Sequence, residues 1–201
     1  MTSSGKRRAT SSSGNKARQR GAANAGLALE QGPDTCACPS CRPSPSPPTD
    51  TRWLRLAIEQ SRLAAAQGNQ PYGAVLVGPD GQWRWSSHNS QADPADVTGH
   101  AELNLVREAA REMGPGALAG ATVYASGEPC PMCAGALYWA GVGRIVFALD
   151  VHSMGELCGP DSILPLGCAE VVRGGTRALE VIGPALQDEA RAVFLPRRGA
   201  T

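Results

Sequence analysis

Lysine and long apolar runs are what most of this 201-residue chain lacks. The last Lys is Lys16, and residues 51–201 carry 12 Arg against 15 acidic residues. Such an acidic segment is a poor electrostatic surface for nucleic acid, because that binding depends on neutralising phosphates. No apolar run comes near the roughly 18 residues that cross a bilayer, and no signal-peptide core is visible. The sequence therefore indicates neither membrane spanning nor secretion.

The first 49 residues differ sharply in composition from the rest of the chain. Residues 1–29 hold six basic residues and no acidic one among many Ser, Gly and Ala, and a Ser-Pro-rich stretch follows at 44–48. A segment this poor in large apolar side chains cannot bury enough area to offset its chain entropy, so we predict disorder over residues 1–49. The folded domain is then expected at 50–201. The basic tail could bind polyanions loosely, although a solvated tail is the simpler interpretation.

Seven cysteines are present, and their distribution is typical of a reducing compartment. Two of them form a Cys-x-x-Cys pair, which fits a metal site better than a disulfide framework. A cytoplasmic protein is therefore expected; the Arg- and Ser-rich start also resembles an organelle transit peptide, which is the alternative. Cys36, Cys38 and Cys41 lie close together near the N-terminus, either as incidental residues or as a second metal or redox site.

His100 and Glu102, followed by a Pro-Cys-x-x-Cys stretch that contains Cys130 and Cys133, carry the clearest chemistry in the sequence. One imidazole and two thiolates are the three ligands that a catalytic zinc takes when its fourth position is left for water. Glu102 is too close to His100 to bind the same ion easily, but it can lie beside that water and move protons. The alternatives are a redox pair or simple packing for the two Cys, with His100 as a helix cap.

Hydrophobic periodicity places these residues at the starts of two helices. Residues 101–112 have an apolar stripe at helical spacing, and residues 131–140 begin with a Pro in the first turn. Two sulfurs three residues apart at a helix N-terminus can reach one point, and the helix dipole favours their thiolates. Alternating strands and helices imply a layered α/β sheet. The remaining patterns predict helices at 51–66 and 187–194, strands at 73–77, 83–87, 123–126, 144–149 and 178–182, and turns from residue 153.

With these motifs, the span from about residue 52 to residue 194 resembles the cytidine and deoxycytidylate deaminase superfamily. The H-x-E and P-C-x-x-C pattern is the signature of zinc-dependent base deaminases. Within the superfamily, the chain is similar to the branch of guanine deaminases and tRNA adenosine deaminases, on residues 71–77, 88–89, 124–130 and 135–140. The resemblance implies a three-layer α-β-α fold with a mixed five-stranded sheet flanked by helices.

The resemblance also implies the metal chemistry and the assembly. One Zn²⁺ per chain, with a bound water, would be held by His100, Cys130 and Cys133. Glu102 would take the proton of that water, pass it to the ring nitrogen and then protonate the leaving amine. Family members usually pair as homodimers, so a homodimer is expected.

Four further residues are candidate substrate contacts by the same resemblance. Asn89 matches a position whose side chain holds the substrate, with a strand-end cap as its alternative role. The backbone at Ala101 is expected to line the pocket. Asp161 lies in a loop similar to one that contacts the base in guanine deaminases, although an ordinary turn residue fits equally well. Trp139 follows another aromatic residue on the cysteine helix, where it either lines the pocket or packs in the core.

Together these features favour a zinc-dependent hydrolytic deaminase of a purine base or nucleoside, with guanine, converted to xanthine and ammonia, as the best candidate. The acidic domain, the aromatic cysteine helix and the Asp161 loop support a small-molecule substrate. A tRNA adenosine deaminase is the second candidate, favoured by the basic tail and disfavoured by the scarcity of Lys. The motif is also compatible with cytosine or cytidine deamination. Outside the enzymes, the alternative is a catalytically idle deaminase fold that acts as a scaffold.

Overall fold

The computed structural model describes residues 48–92 and 96–195. The predicted disordered tail, except for its last two residues, and the cysteine cluster at 36–41 lie outside the described residues. The first helix begins at Pro48, two residues before the predicted start of the domain. No helix in the described part of the chain is long and apolar enough to cross a membrane.

Five strands within residues 48–92 and 96–195 form one mixed sheet. Their order is β2-β1-β3-β4-β5, and β1 runs antiparallel to both β2 and β3. The β3–β4 and β4–β5 pairs are parallel, so the carboxyl ends of β3 and β4 meet at one edge of the sheet. This arrangement confirms the predicted mixed five-stranded sheet. The strands are β1 (Gly73–Val77), β2 (Trp83–His88), β3 (Thr122–Gly127), β4 (Arg144–Leu149) and β5 (Glu180–Ile182).

In the described part of the chain, six α-helices connect and cover these strands. The sequence patterns locate α1, α2, α3 and α6 to within three residues at each end. The prediction of turns from residue 153 is wrong, because two short helices, α4 and α5, occupy this region. The helices are α1 (Pro48–Ala66), α2 (Ala101–Met113), α3 (Pro131–Trp139), α4 (Val151–Cys158), α5 (Cys168–Arg173) and α6 (Gln187–Phe194).

The sheet separates two apolar cores, which produces the predicted three layers. Successive strand residues point to opposite faces, so Leu76 and Ile145 pack against α2, α3 and α5, whereas Val75 and Val146 pack against α1, α4 and α6. Gly73, the first residue of β1, lies directly under α1, where an added Cβ would collide with the helix backbone. The absence of a side chain at Gly73 therefore lets β1 and α1 approach closely.

Candidate active site

The three predicted metal ligands come together between α2 and α3. The Nδ1 atom of His100 lies 3.6 Å from the Sγ atoms of both Cys130 and Cys133, and the two Sγ atoms are 3.6 Å apart. A tetrahedral zinc site with bonds of about 2.0–2.1 Å to nitrogen and about 2.3 Å to sulfur has edges of roughly 3.5–3.8 Å. The donor set and its spacing therefore fit a zinc ion with one coordination position left open.

The loop before α2 holds His100 in place. His100 is extended at the helix N-cap, with φ −73° and ψ 149°, and its carbonyl accepts the N–H of Asn104 at 2.9 Å. The side-chain amide of Asn104 reaches back to donate to the carbonyl of His88 at 3.0 Å and to Oγ of Ser90 at 2.9 Å. One buried amide thus joins the end of β2 to the turn that carries the imidazole.

The two cysteines are positioned by the turn between β3 and α3. Pro131 is the first helical residue, where its fixed φ suits a helix start and its missing N–H costs no hydrogen bond. Glu128 precedes this turn, and its carboxylate accepts the N–H of Val151 at 2.9 Å and that of Cys168 at 2.7 Å. A single side chain therefore ties the cysteine turn to the first residues of α4 and α5.

Glu102 is buried in the first turn of α2 and lines the same cavity as His100 and Cys130. Burial raises the pKa of the Glu102 carboxyl to about 7. A carboxyl group with a pKa near the working pH is suited to both accepting and donating protons. Hydrogen bonding with Cys133 lowers the pKa of the Cys130 thiol to about 4, so this sulfur is already a thiolate at neutral pH.

A cavity of about 840 Å³ opens above the ligands. Its apolar wall includes Met154 of α4 and the aromatic pair of Tyr72 and Phe194, whose ring centroids are 5.5 Å apart at 69°. Gln91 is among its polar lining residues. Among the described residues that line this cavity, none is Lys or Arg.

None of the four candidate substrate contacts is among the described residues that line this cavity. Asn89 is fully buried beside Gln91, and Ala101 is a fully buried residue at the start of α2. Asp161 is exposed in a 3-10 turn, next to residues that line the cavity but not among them. Trp139 is 85% exposed at the end of α3 and also lies outside the lining. The alternative prediction that Trp139 packs in the core is therefore wrong.

Sequence reasoning missed several residues that line the cavity. Tyr72 belongs to a stretch that matched the family, but no role was expected for it, and Gln91 carried no signal at all. Met154 lies on α4, a helix that the hydrophobic pattern did not reveal. Phe194 was expected at the end of the closing helix, and only the tertiary packing brings it against Tyr72.

The fold and the site together are those of a deaminase, with one His and two Cys positioned to hold a metal. Residues 47–149 match the family model of the cytidine and deoxycytidylate deaminase zinc-binding region. The chain belongs to this family, whose enzymes cleave C–N bonds of nucleobases or nucleosides by hydrolysis. The predicted recognition and the predicted class of enzyme are confirmed.

Relatives and solved structures with different substrates resemble the chain. A probable cytosine deaminase of Schizosaccharomyces pombe is 31% identical over 156 residues, 75% of this chain and 91% of its own length. A structure from work on A-to-I editing by tRNA:A34 deaminases is 30% identical, with a TM-score of 0.56, over 71% of this chain and 99% of that one. Guanine deaminase from Nitrosomonas europaea has a TM-score of 0.62 over 76% of this chain and 85% of its own, at 20% identity. This last likeness shows the fold.

Proposed function

We propose that this chain is a zinc-dependent hydrolase that removes the exocyclic amine from a free nucleobase or nucleoside. The observation that carries this proposal is a cavity of about 840 Å³ that is lined by Glu102 and by two of the three candidate ligands, His100 and Cys130. Among its described lining residues there is no Lys or Arg. A nucleotide or nucleic acid substrate brings phosphates, which proteins usually meet with basic side chains. An uncharged base or nucleoside needs no such partner.

Glu102 is the proton carrier in this proposal. Zinc held by His100, Cys130 and Cys133 would supply a water acidic enough to act as a nucleophile at neutral pH. Glu102 accepts one proton and delivers it to the ring nitrogen next to the reacting carbon. It then accepts the proton of the new hydroxyl group on that carbon and passes it to the amine, which leaves as ammonia while the carbonyl forms. The burial of Glu102 keeps bulk water away from these transfers.

Guanine is the candidate that the sequence favoured, and cytosine is the competing small base. The guanine argument depended partly on Asp161 and Trp139, and neither side chain lines the cavity in the single chain. The similarity to a probable cytosine deaminase covers nearly all of that relative. The aromatic pair of Tyr72 and Phe194 can pack against either ring system. The proposal therefore includes both bases.

Adenosine in tRNA is a second candidate, favoured by the similarity to the structure from work on tRNA:A34 deaminases. The seven basic residues among residues 1–50 could neutralise phosphates outside the catalytic cavity. This candidate requires a nucleotide to be turned out of its strand into the pocket.

Ammonia release tests the proposal directly. Zinc-loaded protein is offered guanine, adenine, cytosine, their nucleosides and tRNA, with the Glu102→Gln variant as the blank. Turnover of a free base or nucleoside supports the proposal and names the substrate. Activity on tRNA alone would replace it with the second candidate, and a silent panel with zinc bound would favour the scaffold alternative.

We also propose that the protein is a homodimer, as its family resemblance implies. An apolar strip along α3 supports this: Trp139 is 85% exposed, Met132 is exposed, and a Cβ on Gly135 would meet no atom within 4 Å. Large exposed aromatic residues on a folded surface are typical of interfaces.

A further inference from the structure

One carboxylate holds both ends of a segment that forms part of the cavity wall. The segment runs from Val151, the first residue of α4, to Cys168, the first residue of α5, and we call it the strap (residues 151–168). The backbone N–H of Val151 donates to Oε2 of Glu128 at 2.9 Å, and that of Cys168 donates to Oε1 at 2.7 Å. The two ends of the strap therefore meet at a single side chain.

The strap contributes about a third of the described residues that line the cavity, among them Met154 and Ile163. Glu128 lines the cavity as well, two residues before the candidate ligand Cys130. The backbone N–H of Glu128 donates to the carbonyl of Leu149 at 2.7 Å, which fixes this residue to the end of β4. The strap is thus attached to the edge of the sheet from which the cysteine turn begins.

The two halves of the strap differ in their other attachments. The α4 half is also held from α6, because Arg191 donates to the carboxylate of Glu156 at 2.8 Å. Within the part of the chain that the structure describes, every hydrogen bond of residues 159–166 stays inside the strap. Gly167 leaves room for the carboxylate, since a Cβ there would lie 3.1 Å from Oε1 of Glu128. The second half therefore depends for its position on Glu128 and on apolar packing.

These contacts need a group that accepts hydrogen bonds at both of its ends. An ionised carboxyl group has two accepting oxygens, whereas an amide has one accepting oxygen and one donating nitrogen. With Gln at position 128, one of the two backbone N–H groups would face another donor and lose its partner. A near-isosteric substitution is therefore enough to detach one end of the strap.

We propose that Glu128 is a positioning residue that holds the strap as a wall of the cavity, and so sets the affinity for the substrate without taking part in the chemistry. The inference rests on the proposed function, since the substrate is the free base or nucleoside that the cavity admits. When only a fraction of the molecules has the strap in place, the apparent KM rises in inverse proportion to that fraction. The complex that does form reacts at its normal rate.

Glu128→Gln tests this assignment, with Asp150→Asn as the matched control. Asp150 accepts the N–H of Ser153 at 2.7 Å at the start of the same helix, and Asn removes the charge while keeping that acceptor. Glu128→Gln is expected to raise KM about tenfold with kcat changed less than about threefold. Asp150→Asn is expected to leave both constants within about twofold. A merely destabilising substitution would instead lower kcat, by reducing the amount of active enzyme, and leave KM unchanged.

Hydrogen exchange followed by mass spectrometry tests the strap itself and needs no substrate. In zinc-loaded Glu128→Gln, the amides of residues 159–168 are expected to exchange about tenfold faster than in the wild type, while those of β1 keep their protection. Zinc content is expected to stay at one per chain. Unchanged exchange would overturn the role of Glu128 in holding the strap. Loss of zinc would make Glu128 a support of the metal site and would also overturn the proposal.

The two measurements separate this inference from the proposed function. A raised KM with unchanged exchange would make Glu128 a direct substrate contact and overturn its positioning role. A wild type that turns over no base or nucleoside would refute the proposed function and the effect on KM, whereas exchange would still decide whether Glu128 holds the strap. If Glu128→Gln does not fold, Glu128→Asp takes its place. Its carboxylate is one methylene too short to reach both N–H groups, so faster exchange and a higher KM are expected again.

Discussion

His100 and Glu102 are only two residues apart in sequence, but the start of a helix lies between them. As a result, their side chains can take different roles. His100 is still in extended backbone, so its ring turns toward the two thiols. Glu102 is in the first turn of α2, buried in the floor of the cavity. The same chain segment thus supplies a metal ligand and a proton carrier that do not compete for one position.

The Glu102→Gln substitution tests whether Glu102 carries protons without binding the metal. The amide keeps the shape of the carboxyl group but cannot accept a proton at neutral pH, so kcat is expected to fall by about 10²–10⁴-fold, the usual contribution of a general acid–base group. Zinc content, measured by metal analysis, is expected to stay at one per chain because no ligand changes. A variant that keeps wild-type turnover would contradict the role of Glu102.

Cys133→Ala tests the assigned metal ligands, with Cys168→Ala as the matched control. Cys133 and Cys168 are both completely buried, but only Cys133 has its sulfur within 3.6 Å of the other two ligands. We expect Cys133→Ala to lose zinc and activity together, because two ligands do not hold the ion tightly. Cys168→Ala is expected to retain one zinc per chain. Equal zinc content in the two variants would be evidence against the assigned ligand set.

At the scale of elements, α1 is joined to the sheet by a buried ion pair. Asp50, in the first turn of α1, accepts two hydrogen bonds from the guanidinium of Arg144 at 2.8 and 2.6 Å, one to each oxygen. The hydroxyl of Tyr124 donates to the same carboxylate at 2.7 Å. These contacts connect the start of α1 to β3 and β4, on the sheet face opposite the α2 and α3 layer.

Asp50→Asn is expected to destabilise the fold without changing the chemistry of the site. Breaking a buried pair costs about 3–5 kcal/mol, and we expect about 2–3 kcal/mol here because Arg144 keeps 23% of its side chain exposed and still pairs with Glu180. Urea unfolding at neutral pH measures this loss. Asp80→Asn, which breaks an exposed pair with Arg84, serves as the control and should leave the midpoint unchanged.

The ion pair between Asp50 and Arg144 also predicts how the free energy of unfolding depends on pH. Hydrogen bonding to Arg144 holds the pKa of Asp50 below its ordinary value of 3.8 in the folded protein. The pair therefore stabilises the fold above that value, and the contribution is lost as the pH falls below it. The difference in unfolding free energy between wild type and Asp50→Asn is expected to shrink as the pH is lowered through about 4. A difference that grows in acid would contradict this account.

Elements with strong local signals were predictable, and those held by tertiary contacts were not. The bounds of β1, β4 and α6 follow from hydrophobic pattern, Gly and Pro alone. The α4 helix was missed because Gly155 lies inside it and Gly159 ends it, although Asp150 is an N-cap that accepts the Ser153 N–H at 2.7 Å. The α5 helix has only six residues, too few to show a period.

In the candidate site, too, some residues were predictable from local sequence and others were not. Spacing was enough to group His100, Cys130 and Cys133, since ligand geometry restricts which residues can share one ion. The contact between Tyr72 and Phe194 joins residues at opposite ends of the domain, and no local pattern records it. The cavity wall depends on such contacts, so a single sequence identifies the reacting groups more readily than the substrate.

At the scale of the whole molecule, the exposed strip on α3 predicts self-association. Trp139→Glu is expected to convert a dimer to a monomer, because a buried charge at an interface centre is costly. Trp83→Glu is the matched control, since Trp83 is 49% exposed on β2, at the edge of the sheet. Sedimentation of both variants measures the outcome. If both variants remain dimeric, or if the wild type is already a monomer, α3 is excluded as the interface.

The unequal distribution of charge along the chain gives the sharpest test between the two candidate substrates. Seven basic residues lie in residues 1–50, whereas the described residues that line the cavity, all between Ala65 and Phe194, include no Lys or Arg. A chain lacking residues 1–46 keeps all of α1. Its kcat/KM on a free base or nucleoside is therefore expected to stay within about twofold of the value for the full chain. This kcat/KM is also expected to change little between about 50 and 200 mM salt. A tRNA substrate would behave differently, because each lost phosphate contact weakens binding and lowers its salt dependence. A large loss of activity on truncation, together with steep salt dependence in the full chain, would therefore support the tRNA candidate over the free base.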